Sequence, residues 1–165
     1  RHLYTLGEAR LANGDEEGAM DAYRRVLELD PENPEAHLEL GILHDRRGER
    51  QRAEKHFLES LKADPTNPRA LYSYANVYYT SGELETAEEL LARALAADPG
   101  YSPALSALAS IRARRGEYAA SLDYLEKAVE AGERDVEHFK RALEFAPLRQ
   151  DPRFRRLLSR MAEGD

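Results

Sequence analysis

Small and large apolar positions recur along this chain in register, with a period of 34 residues. Gly7, Gly41, Ala75 and Ala109 share one position, and Ala19, Ala53, Ala87 and Ser121 share a second. A third position is large each time: Tyr23, Phe57, Leu91 and Leu125. The pattern predicts pairs of helices whose backbones nest at the small residues while large side chains fill the remaining contacts. Gly14, Gly48, Gly82 and Gly116 lie midway, among polar residues, and are expected to end each first helix in a left-handed conformation. The second helix of each pair should end at Asp30-Pro31, Asp64-Pro65 and Asp98-Pro99, because the residue before proline is driven out of the α region. New helices should start at Asn33-Pro34, Asn67-Pro68 and Ser102-Pro103. There Asn or Ser can accept from the free N–H groups of the first turn, and proline gives up a donor that the helix does not use.

Residues 136–165 leave this register. Val136 to Glu144 reads as a short helix stopped before Pro147. Pro152 to Met161 reads as another, with Asp151 as N-cap and Phe154, Leu157, Leu158 and Met161 on one face. The last pair in such a stack exposes an apolar face, which Phe139, Leu143 and Phe145 are expected to cover.

The Leu-Gly, Ala, Phe/Tyr and Pro spacing of residues 1–135 resembles the tetratricopeptide repeat family, with Leu3, His37, Leu71 and Leu105 where the family often has an early Trp. The fourth period departs from the pattern, reading Glu133-Arg134-Asp135 in place of Asp-Pro. The resemblance implies an all-α fold, a right-handed superhelix of antiparallel helical hairpins. Four repeats are expected at about residues 1–33, 34–67, 68–101 and 102–135, with C-terminal capping helices over residues 136–165. The run from Pro147 to Met161 resembles the closing segment of many bacterial multi-domain proteins that end in such repeats, and the chain opens at Arg1 rather than Met. Both features lead us to expect the C-terminal piece of a longer protein.

Composition narrows the functional classes. The 165 residues carry a net charge of −7, with the tail at +2 and residues 1–135 at −9. An acidic surface works against nucleic acid, whose binding depends on cations neutralising phosphates. There is no cysteine, which removes disulfides, thiolate metal sites and cysteine nucleophiles. No run approaches the roughly 18 apolar residues of a membrane helix, so membrane insertion is not expected. The expected compartment is the cytoplasm, with the periplasm left open.

The family resemblance also implies that the first helix of each hairpin lines a concave groove. The positions expected to be exposed there, and to bind a partner, are Leu38, Glu39, Ile42, Arg69, Tyr72, Ser73, Asn76, Tyr79, Ser110 and Arg114. Tyr72, Asn76 and Tyr79 fall at i, i+4 and i+7 on one helix face. An amide between two aromatic rings can hold a peptide backbone while the rings cover an apolar side chain. Tyr74 and Tyr78 take packing positions instead. One version of the family clamps C-terminal carboxylates with Lys and Asn, but Tyr4 and Glu8 occupy those places here, so chaperone-tail binding is rejected. Groove charges are mixed, with Glu8, Glu35, Glu39 and Asp45 on one side and Arg46, Arg69 and Arg114 further along. A guest with a basic end and an apolar centre would suit them.

No catalytic residue, metal ligand or cofactor is expected. His37 and His44 lie two turns apart at packing positions, where a metal needs a closer pair and a third ligand. Neither a nucleophile elbow nor a His-Glu-x-x-His helix occurs, and the repeat accounts for every glycine near a turn. Carboxylates such as Asp21, four residues before Arg25, read as solvated faces. The expected function is a protein–protein interaction scaffold or adaptor that takes a peptide or helix of a partner protein in its groove. The alternative is a regulatory or substrate-presenting segment of a larger enzyme or signalling protein. Edge-to-edge pairing of such stacks would give a homo-oligomer.

Overall fold

The computed structural model describes residues 2–164, and every regular element among them is helical. In chain order these are α1 (His2–Ala12), α2 (Glu16–Leu29), α3 (Pro34–Arg46), α4 (Arg50–Ala63), α5 (Pro68–Thr80), α6 (Leu84–Ala97), α7 (Ser102–Arg114), α8 (Tyr118–Glu130), α9 (Val136–Arg141) and α10 (Pro152–Glu163). A 3-10 segment, Leu143–Leu148, joins the last two. The chain forms two compact units, one holding α1–α5 up to Ser81 and the other α6–α10 from Gly82.

Local chemistry explains most of the boundaries. Asn33 and Asn67 cap α3 and α5, accepting from the Ala36 and Ala70 N–H groups at 2.9 and 3.0 Å, with proline in the first turn. Asp30, Asp64 and Asp98 close α2, α4 and α6 as expected. The four midway glycines have φ between +72° and +81°, a region that a side chain would strain. α7 departs from the expectation: Tyr101 is its N-cap, without a side-chain bond, and Ser102 is already helical. The Ser102 hydroxyl donates instead to Glu133, at 3.4 Å.

In the first unit, α1 packs on α2 and α3 on α4, and α2 and α4 each pack on the next first helix. A Cβ at Gly7 would lie 2.6 Å from Tyr23 Cε1, and one at Gly41 2.7 Å from Phe57 Cε1. Glycine is therefore the residue that lets each buried ring lie across the facing helix. Ala19, Met20, Tyr23, Ala36, Leu40 and Leu43 form one continuous cluster.

In the second unit, α7 packs on α6, α8 and the 3-10 segment, and α10 packs on α8 and α9. Phe139, Phe145 and Phe154 are fully buried, with centroids 5.3 and 5.8 Å apart in sequence order, and join Leu122, Leu125 and Val129 in one core. Each such ring stabilises the unit by roughly 2–3 kcal/mol of burial. Two expectations for the tail are corrected. The helix from Val136 stops at Arg141, and Leu143 begins the 3-10 segment, which carries Pro147 within it. Leu143 then points outward and is 82% exposed, so Phe139 and Phe145 cover the last hairpin without it. Asp151 caps α10 as expected, and Phe154, Leu157 and Met161 are buried while Leu158 is half-buried. The tail's positive charge also has a use: Arg153 reaches Glu126 and Asp123 of α8 at 2.6 and 2.8 Å.

Candidate functional site

The first helices of the first unit present one polar and aromatic face. On α3 the exposed strip is narrow, because α2, α4 and α5 all pack against that helix. Leu38 and Glu39, expected to be exposed, are buried at 3% and 6% exposure for this reason. What α3 leaves accessible is Glu35, the half-buried Ile42 and Asp45, and Arg46. These follow the three-to-four-residue spacing of a single helix face.

Glu39 is the centre of a cross-helix link. Its Oε1 accepts from Arg69 of α5 at 2.5 Å and from the Tyr4 hydroxyl of α1 at 3.3 Å. Burial, followed by the charges of Glu39 and Glu8, pushes the Tyr4 phenol up to about 12. Arg69 itself is exposed. The expected separation of acids from arginines therefore fails within this unit, since Arg69 is spent on Glu39 and Arg46 lies 3.6 Å from Glu16.

A second link lies further along the same helices. The Asn76 amide donates to the Asp45 carboxylate, whose pKa burial raises and this hydrogen bond lowers, with a net rise. Asn76, expected to hold a guest backbone, thus has a partner inside the protein. Tyr72, Ser73 and Tyr79 flank it on α5, all half-buried. Tyr74 and Tyr78 do take packing positions, with their hydroxyls 3.1 Å apart and Tyr74 tilted against Phe57.

The remaining two predicted residues belong to the second unit. Ser110, expected to be exposed, is 4% exposed because α6, α8 and the 3-10 segment crowd α7. Arg114 is exposed at the end of that helix.

Sequence reasoning weighed His37 and His44 as a pair and missed that His56 joins them. His37 and His44 are buried on α3, with His56 of α4 between them. His37 Nε2 lies 2.9 Å from the Pro31 carbonyl, which only accepts, so that nitrogen carries a proton. While His37 is neutral its Nδ1 is an acceptor, and His56 Nδ1 donates to it across 2.9 Å. His44 Nδ1 donates to Glu49 at 2.6 Å, and that bond, with Arg52, holds the Glu49 carboxyl below its usual range. Burial, then the neighbouring His37 and His44, pushes His56 down to about 4. Asp21 pairs with Arg24, at 2.9 Å, rather than with Arg25. Among the described residues no group of three or more His, Asp or Glu could hold a metal ion, and no helix is long and apolar enough to cross a membrane.

Two family models described as tetratricopeptide repeat match this chain, one over residues 46–111 and 81–145 and the other over residues 4–68. The chain belongs to the tetratricopeptide repeat family. A TPR repeat-containing protein of Methanocaldococcus jannaschii is 39% identical over 59 residues. That match takes in 34% of this chain and 10% of the relative, so the chain spans about a tenth of that relative's length. Among solved structures, PilF of Pseudomonas aeruginosa aligns with a TM-score of 0.82 at 23% identity, covering 99% of this chain and 75% of that one. YrrB, described as a TPR protein with an unusual peptide-binding site, aligns with a TM-score of 0.66 at 18% identity, covering 98% and 84%. At these identities the structural likeness shows the fold, a solenoid of tetratricopeptide-type hairpins.

Proposed function

We propose that this chain is a protein-interaction scaffold that takes a peptide or helix of a partner on the face formed by α1, α3 and α5. The observation that carries the reading is the pair of cross-helix links, Tyr4–Glu39–Arg69 and Asp45–Asn76, which hold three neighbouring first helices together. Fixed side chains lose little entropy on binding, so such a surface is pre-organised. Ile42, Tyr72, Ser73 and Tyr79 supply its apolar and aromatic area, and the description of YrrB as having a peptide-binding site supports the reading for a chain of this fold. Asn76 acts through Asp45 in this account, not as a free amide.

The test is selection of binders from a displayed library of random dodecapeptides, followed by fluorescence anisotropy of the selected peptides. Tyr72→Ala should weaken them tenfold or more, as loss of an aromatic anchor worth ~2 kcal/mol requires, with the melting curve nearly unchanged. Leu58→Ser, an exposed change on α4, should leave binding intact. A library that yields no binder, or binders indifferent to Tyr72, overturns the proposal.

A further inference from the structure

The second hairpin carries histidine where the repeat is otherwise mostly apolar. His37 shares its register position with Leu3, Leu71 and Leu105, and His56 with Ala22, Leu90 and Tyr124. Leu71, Leu105, Ala22 and Leu90 are buried, so hairpin packing does not call for an imidazole at either place. Here the two rings meet at the seam of α3 and α4, in a chain of hydrogen bonds that runs from the α2–α3 loop through α3 to α4. The Pro31 carbonyl accepts from His37 Nε2, and His37 Nδ1 accepts from His56 Nδ1, each across 2.9 Å. His44 stacks on His56 with centroids 5.4 Å apart and planes 7° from parallel.

This wiring limits how many protons the closed seam can hold. His37 donates through Nε2, so its Nδ1 must stay bare to accept, and His56 Nδ1 must stay protonated to donate. One extra proton can enter at His56 Nε2. A second, on His37 Nδ1, would set two N–H groups against each other. Once the rings separate, each is free to take its own proton, near pH 6.5. Opening the seam in acid is therefore coupled to uptake of at least one proton.

The surroundings push the same way. The charged and titratable groups acting on His56 are His37 and His44 of α3, Arg24 of α2 and Lys55 of α4, all cationic or able to become so. Asp21 pairs with Arg24, Glu49 with His44 and Arg52, and Glu59 with Lys62, so those carboxylates already have partners. α5, which also packs on α4, sets Tyr74 against Phe57 and Tyr78 beneath Arg50. A proton added at the seam thus meets cations and phenols rather than a free carboxylate.

We infer that the His37–His56 pair is a proton-operated latch, which lets go in mild acid and frees the C-terminal half of α4 and the α2–α3 loop from α3 while the second unit stays folded. The latch acts whether or not a guest is bound.

Hydrogen–deuterium exchange of the full chain at pH 7.5 and 5.0, corrected for the intrinsic exchange rate, tests this. One proton bound only in the open form shifts opening by about thirtyfold over that range. The partial exposure of His56 reduces the expected shift to about tenfold. Protection of residues 31–37 and 56–63 should fall by that factor, and protection of residues 82–164 by less than about twofold. His37→Leu with His56→Leu installs residues that the repeat itself uses in register, and should abolish the difference with the helical circular dichroism retained. Nitrogen-15 NMR of labelled histidines supplies a readout that packing alone would not move. At pH 7.5 His37 should carry its proton on Nε2 and His56 on Nδ1, with a scalar coupling between the two Nδ1 atoms that vanishes as protection falls. Protection lost equally in both units, or a selective loss that persists in the double variant, overturns the latch. Two rings in the same tautomer at pH 7.5 overturn it as well, and that measurement decides the matter on the unaltered chain if the double variant does not fold.

Discussion

Acidification should destabilise the first unit through His56. The folded chain holds this imidazole neutral, with its pKa pushed down to about 4, first by burial and then by His37 and His44 beside it. In the unfolded chain the same ring titrates near 6.5. Between these values the unfolded state binds more protons, so stability is complete above about pH 6.5 and is lost progressively as pH falls toward 4. The full separation corresponds to roughly 3 kcal/mol. His56 is only partly buried, and solvent screening reduces the expected loss to about 1–1.5 kcal/mol between pH 7.5 and 4.5. The geometry adds a reason of its own: if both His37 and His56 were doubly protonated, two N–H groups would face each other across 2.9 Å. Thermal melts of the unaltered chain and His56→Gln across this pH range give the measurement. The melting temperature of the unaltered chain should fall by about 2–6 °C more than that of the variant. Parallel pH profiles for the two proteins, or an NMR titration placing the His56 pKa at 6.5 or above, would refute the reasoning.

Two further outcomes follow from packing. The Tyr23 hydroxyl is buried without a hydrogen-bond partner among the described residues, so Tyr23→Phe should be neutral or stabilising by up to about 1–2 kcal/mol in denaturant unfolding; a loss larger than 1 kcal/mol would contradict it. Gly41→Ala places a Cβ against three atoms of the Phe57 ring, and the overpacking should outweigh the gain in helix propensity, for a net loss of about 1–2 kcal/mol. Adding Phe57→Leu should recover part of that loss in the same unfolding assay, as no other cause of the Gly41 effect would predict.

The helix ends were legible because they are local events. Asn33, Asn67, the three Asp-Pro steps and the midway glycines act within a turn of themselves, and each did what its chemistry dictates. Ser102 failed as a cap because the 34-residue register places Tyr101, not Ser102, at the position held by Asn33 and Asn67. The tail was read one step too simply, since Pro147 fits a 3-10 segment and the chain turns early enough to expose Leu143. The candidate face was half legible. Periodicity picks out which residues share a side of a helix, but exposure depends on what packs there, and so Leu38, Glu39 and Ser110 were misjudged. The polar links were missed for the same reason, although a signal existed. Glu39–Arg69 and Asp45–Asn76 join residues 30 and 31 apart, one repeat less about one helical turn, and each pairs an acid with a donor.

The same arithmetic says where function is free to vary in such a chain. On α3 the repeat consumes Ala36, His37, Leu38, Leu40, Gly41, Leu43 and His44 in packing, and changes there are read out as stability. Beyond Pro34 of the first turn, Glu35, Ile42, Asp45 and Arg46 are the accessible positions, and substitutions among them cost the core little. Glu39 belongs to neither class: it is buried like a core residue, yet it carries a charge whose offset among the described residues is Arg69, thirty residues on, with Tyr4 as a further donor. A buried charge so held is poor stabilisation compared with an apolar residue of the same size, but losing Arg69 would leave Glu39 uncompensated, which favours the hairpin alignment in which the two meet. Alignment of consecutive first helices would set the width of the proposed binding face. On the proposed scaffold reading, the Glu39–Arg69 pair would thus link packing to recognition without having to touch the guest.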